Sequence, residues 1–115
     1  MNLDGRVLSV SATASRGVVD SNTLLRFRQQ GDRVLGRYGG GSVLRGCLVG
    51  RIEGHRLLFR YAQVERSKQI HGGTSVCEVL YQADGRARIV EHFTWRTREG
   101  SGTNVFDEVR KSDCA

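Results

Sequence analysis

The run from Ala87 to Arg96 holds the residue with the clearest chemical potential. Glu91 stands at two-residue spacing from Ile89 and Phe93, with Trp95 one step further. In an extended chain, side chains alternate between faces. Ala87, Ile89, Glu91, Phe93 and Trp95 therefore share one side, and Arg88, Val90, His92, Thr94 and Arg96 share the other. The first set is the apolar one, which points Glu91 into an interior among aromatic rings. A carboxylate there is costly unless donors reach it or it keeps its proton. Three roles fit such a group. It can be the polar contact of a largely apolar ligand pocket, a general acid or base with a raised pKa, or a structural carboxylate bonded to tyrosine or arginine in a filled core.

Other motifs yield less. Gly39-Gly40-Gly41-Ser42 has the glycines of a phosphate loop, but that loop needs a Gly-Lys-Ser/Thr ending and a following helix. Here a strand-like run follows and the lysine is missing, so a hairpin loop is expected. His55 falls in a turn, His71 in a loop and His92 on an outer face, which leaves no pair to share a metal or to serve a serine. Cys47, Cys77 and Cys114 are widely spaced and odd in number, which indicates neither a disulfide framework nor a zinc site. Cys47 and Cys77 read as small residues buried in strands, and Cys114 as part of a frayed tail.

These residues must be positioned by β-structure. Glycine punctuates the chain fifteen times, proline is absent, and the runs between turn signals alternate with period two. Strands are expected at 6–10, 23–30, 33–39, 43–52, 56–64, 73–82, 86–97 and 103–110. The short connections make an up-and-down meander, and a meander of about eight strands removes its edges by closing into an antiparallel barrel. The longest connections, 11–22 and 65–72, are expected as flexible loops at the mouth.

Alternation then sorts the faces. Val34, Gly36 and Tyr38 point in, as do Leu44, Gly46, Leu48, Gly50 and Ile52. So do Leu57, Phe59, Tyr61 and Gln63; Ser75, Cys77, Val79 and Tyr81; and Asn104, Phe106 and Glu108. Leu35, Val43, Val49, Leu58, Val64, Val76 and Val90 point out. The expected ligand-binding set is Tyr38, Tyr61, Gln63, Glu91, Phe93 and Trp95. Glu91 is the one candidate for a catalytic role, and no metal or cofactor is expected.

Length and composition bound the rest. At 115 residues there is room for one domain, 1–115. The N-terminus lacks the apolar stretch of a secretory signal, and no run is long enough to span a bilayer. Together with free thiols this suggests a cytoplasmic protein. The formal charge is +6, and residues 1–60 hold ten arginines against four acids. Arg26, Arg28, Arg37, Arg45, Arg51 and Arg60 lie on adjacent outer faces. Dispersed arginine on strands usually forms a solvated face, and that face lacks the stacking aromatics of a single-strand binder. Nucleic acid and membrane are therefore not expected partners. The outward aliphatics suggest self-association as a homodimer.

Several short motifs resemble a group of small bacterial proteins of about this length. They have uncertain function and are often carried under the name N-acetylglutamate synthase. The matching features are Val10-Ser11, Thr23-Leu24-Leu25-Arg26-Phe27, Tyr38-Gly39-Gly40-Gly41-Ser42, Gly46-Cys47-Leu48-Val49-Gly50 and Arg60-Tyr61. Asp84-Gly85-Arg86, Glu91-His92-Phe93-Thr94-Trp95 and Phe106-Asp107-Glu108 complete them. The resemblance implies a calycin-like barrel, of the lipocalin or avidin type. It does not carry the synthase activity, because no helix-forming stretch follows a glycine cluster to hold a cofactor pyrophosphate. Phe93 stands where such relatives often have tryptophan.

The expected function is binding of a small, largely apolar ligand inside the barrel, with one polar group directed at Glu91. The alternatives are a cyclase or isomerase using Glu91 as acid or base, and an interaction protein using the arginine-rich outer face.

Overall fold

The computed structural model describes residues 2–13 and 17–110; Cys114 and part of the 11–22 connection lie outside them. The described residues form eight strands: β1 Val7–Ala12, β2 Leu24–Gln30, β3 Arg33–Gly40, β4 Val43–Glu53, β5 Arg56–Glu65, β6 Ile70–Tyr81, β7 Ala87–Trp95 and β8 Ser101–Glu108. Each pairs antiparallel with its neighbours in chain order. β1 pairs with β8 through Leu8↔Glu108, Ser9↔Asp107 and Val10↔Phe106, which closes the barrel. The fold is the all-β antiparallel barrel expected from the alternation, of the calycin-like type that the resemblance implies.

The meander sends the connections 13–23, 41–42, 66–69 and 96–100 to one end, here called the mouth. Turns at the opposite end are tight. Gly31 (φ 63°) and Gly54 (φ 61°) take the left-handed conformation that joins neighbouring strands without steric cost.

Three local expectations are corrected. First, β6 starts at Ile70, paired with Val64, so the expected 65–72 loop shrinks to a turn and His71 lies in a strand. The pair Gly72-Gly73 reads as loop, yet glycine is needed there for close approach. A Cβ on Gly73 would meet the Thr94 carbonyl oxygen at 2.3 Å and the Tyr61 hydroxyl at 2.5 Å.

Second, Val43 is fully buried and Leu44 is 54% exposed, the reverse of the expected faces. The pairing with β5 shifts between Val43 and Arg45, and the extra residue of this bulge exchanges the two sides. Third, Tyr81 is exposed rather than interior. It sits at the rim of the closed end, where its hydroxyl bonds the Asn2 carbonyl at 3.2 Å and the Arg6 guanidinium lies over its ring.

The core has two halves. Toward the closed end Leu8, Val34, Leu57, Val79, Ala87 and Ile89 fill the lumen, and Leu3 plugs it from the N-terminal segment. The Leu3 amide is pinned by Gln29 Oε1 at 2.8 Å. Toward the mouth the lumen holds aromatic and polar side chains instead.

Candidate functional site

The mouthward half of the lumen encloses a cavity of about 40 Å³. Its wall includes all six residues expected from the sequence: Tyr38 from β3, Tyr61 and Gln63 from β5, and Glu91, Phe93 and Trp95 from β7. Register explains the convergence. Tyr38 and Gln63 are level across Gly46, Tyr61 and Trp95 are level across Gly73, and Glu91 is opposite Asn104, so large inward side chains on alternate strands meet over a glycine. Leu25, Leu48, Phe59, Asn104 and Phe106 complete the wall, and Gly17, Val18 and Val19 of the β1–β2 connection lie across it.

Glu91 sits at the centre of a short polar chain. Ser75 Oγ donates to its Oε2 at 2.6 Å, and Asn104 Nδ2 donates to its Oε1 at 2.9 Å. Asn104 in turn accepts from Thr13 Oγ1 at 2.6 Å, which ties β8 to the connection above the mouth. Burial pushes the Glu91 carboxyl above its ordinary value, and the bonds from Asn104 and Ser75 oppose that shift only in part. Burial, with Glu91 next in weight, also raises the Tyr38 and Tyr61 phenols, so both stay protonated donors at neutral pH. Burial and Glu91 likewise raise the Cys77 thiol on the neighbouring strand.

A second chain leads outward. Tyr38 donates to Gln63 Oε1 at 2.8 Å, and Gln63 Nε2 donates to Glu65 Oε2 at 2.8 Å. Arg98, from the β7–β8 connection, closes it with a salt bridge to Glu65. The Arg98 guanidinium also lies 4.5 Å from the centre of the Trp95 ring, a cation–π contact. Trp95 meets Tyr61 edge-on at 5.4 Å and Phe93 at 6.0 Å. The Tyr61 hydroxyl is buried and makes no hydrogen bond among the described residues.

Period-two reasoning finds the inward strand residues, Ser75 and Asn104 among them. It missed Glu65 only because β5 was ended one residue early, since the alternation Tyr61, Gln63, Glu65 continues. Arg98, Val18 and Val19 sit on connections, where alternation gives no signal. Among the described residues, no three histidine, cysteine or acidic side chains gather as metal ligands. Cys77 is buried as expected, but Cys47 is exposed, because it shares the outer face of β4 with Arg45 and Arg51. No described helix is long and apolar enough to cross a membrane; indeed the described elements are all strands.

Among the described residues, Glu91 is the one carboxylate in the cavity wall, and no lysine, arginine or histidine joins it there. The site can hold a proton on Glu91, donate from the Tyr61 phenol and pack aromatic surface, while the Tyr38 proton is committed to Gln63. Comparison with curated proteins and with solved structures finds no match. A family model described as avidin-like protein matches residues 1–109, from ahead of the first strand to just past the last. With the closed antiparallel meander, that match makes the chain a member of the avidin-like protein family.

Proposed function

We propose that this protein binds a small, largely apolar molecule in the mouthward half of its barrel, with one hydrogen-bonding group of the ligand directed at Glu91. The carrying observation is a buried carboxylate and a buried, unpartnered phenol on Tyr61 in one aromatic wall. A buried hydroxyl without a partner costs about 1–3 kcal/mol, a cost that a ligand atom able to bond it removes. The cavity of about 40 Å³ has room for water but falls well short of the roughly 300 Å³ or more of ordinary ligand sites. Entry of a ligand of ordinary size therefore requires lining side chains, Val18 and Val19 of the β1–β2 connection among them, to give way.

A cytoplasmic setting belongs to the same reading, supported by the unpaired thiols of Cys47 and Cys77. So does homodimer formation, supported by exposed Leu35 and Val49, which face one another on β3 and β4.

The test is native mass spectrometry of the protein purified from its own host, together with Trp95 fluorescence on adding candidate apolar molecules. A small molecule that leaves on denaturation, and whose return changes Trp95 emission, is the expected result. Protein that carries nothing, and a Trp95 signal unmoved by any candidate, would overturn the proposal.

A further inference from the structure

The outer wall carries a second concavity, which shares with the lumen cavity only the strand residues Tyr38 and Gln63. It is a shallow groove of about 800 Å³ across β2 to β6. Its shape follows from residue size at outward positions. Gly39, Cys47 and Ala62 are small and form the floor, while Leu24, Leu44 and Ile70 are large and stand at its edges. These three aliphatics are 38%, 54% and 69% exposed. Leu44 reaches this face only through the β4 bulge, a device that commonly re-aims side chains beside functional sites.

Arg26, Arg37 and Arg45 line the same groove and no acidic residue does. Among the described residues, none of the three has a carboxylate within salt-bridge distance. Arg26 and Arg37 are directly opposite each other on β2 and β3. Like charges in that arrangement destabilise a sheet. The fold thus holds an unfavourable pair, uncompensated, beside exposed apolar surface.

We propose that this groove binds an acidic, partly apolar segment of a partner protein in extended form. Charge complementarity supplies the anionic requirement, and the aliphatic edges supply the apolar one. Five adjacent strands at about 4.8 Å spacing span about 19 Å, enough for roughly six extended residues. A nucleic acid suits the face less well, because no outward aromatic is there to stack on a base. A membrane surface suits it less well too, because the aliphatics border a trough rather than crown a ridge. A second copy of this chain packed symmetrically over the groove itself would set its arginines against each other; the Leu35–Val49 pair offered above for a dimer lies outside the groove, nearer the closed end.

The test is fluorescence anisotropy of the full chain with a labelled peptide of alternating glutamate and leucine, about eight residues long. The same peptide with lysine for glutamate, an oligouridine and phosphatidylglycerol vesicles serve as competitors. The acidic peptide is expected to bind and to weaken as salt rises. Combining Arg37→Glu with Arg45→Glu should weaken it about tenfold or more, and Leu44→Ser should weaken it severalfold. Glu91→Gln should leave it unchanged, which separates this surface from the lumen. Trp95 emission checks that each variant is folded, and Arg37→Gln with Arg45→Gln replaces any charge-reversed protein that is not. No binding, equal binding by the arginine variants, or binding of the oligouridine or vesicles in the peptide's place would each overturn the proposal.

Discussion

Replacing Glu91 by glutamine tests the central electrostatic claim without needing a ligand. Glutamine keeps the shape and can accept from Asn104 Nδ2 at the position now held by Oε1. Its amide then faces Ser75 Oγ, which can turn from donor to acceptor. What disappears is the ionisable proton. Burial raises the folded carboxyl above its ordinary value of 4.5, so the folded state holds its proton more tightly than the unfolded chain does. The stability linked to that proton is fully present below the unfolded pKa. It is lost as pH rises from there to the folded pKa, and beyond that point no further loss occurs. Within the window wild type should fall relative to Glu91→Gln by up to about 1.4 kcal/mol per pH unit. Ionisations common to both proteins cancel in the difference; Asp107, held low chiefly by its bond from Arg88, is one of them. Urea unfolding followed by the fluorescence of Trp95, the chain's one tryptophan, measures the difference at each pH. A constant difference between pH values of about 4 and 9 would refute the argument, because it would mean the carboxyl titrates alike in both states.

Three further perturbations probe the same geometry. Tyr61→Phe removes a buried hydroxyl without a partner, so it should leave urea stability unchanged or raise it by about 1 kcal/mol, while weakening any ligand found in the lumen. Gly46→Ala places a methyl 2.3–2.7 Å from the Tyr38 ring; displacing that ring and its bond to Gln63 should cost about 1–3 kcal/mol in the same assay. Arg37→Thr relieves the repulsion with Arg26 and should stabilise the fold by about 0.2–1 kcal/mol. That gain should shrink at high salt, and thermal unfolding at two salt concentrations checks it.

The barrel was legible in the sequence because both of its determinants are local. Glycine turns set the hairpins, and alternation sets the faces, so Ala87, Ile89, Glu91, Phe93 and Trp95 could be placed inside from a single strand. What escaped were departures from strict period two. The β4 bulge exchanges Val43 and Leu44, and nothing in Ser42-Val43-Leu44-Arg45 marks an inserted residue, since both apolar side chains suit either face. Gly72-Gly73 looks like a turn unless Tyr61 is known to need that space, its carbonyl against Gly72 and its ring against Gly73, twelve positions on. The cavity-lining Val18 and Val19 and the bridging Arg98 are fixed by tertiary contact alone. Leu3 escaped for the same reason, plugging the barrel from outside its first strand.

The two proposed surfaces follow from one property of a small closed barrel. Inward positions are constrained by volume, so a carboxylate is accepted there only with partners supplied, Ser75 and Asn104 for Glu91, and Gln63 and Arg98 for Glu65. Outward positions are not, so charge accumulates there at little energetic cost, and selection for solubility alone would scatter it in both signs. On β6 to β8 that is observed: Arg88 pairs with Asp107, and His92 lies 3.7 Å from Glu78. On β2 to β4 the one such pair among the described residues is Arg51 with Glu53, near the closed end. Arg26, Arg28, Arg37 and Arg45 stand without acidic partners among the described residues, and two of them are set directly opposite each other. A merely solvated face has no reason to keep that arrangement, whereas a face that meets negative charge does.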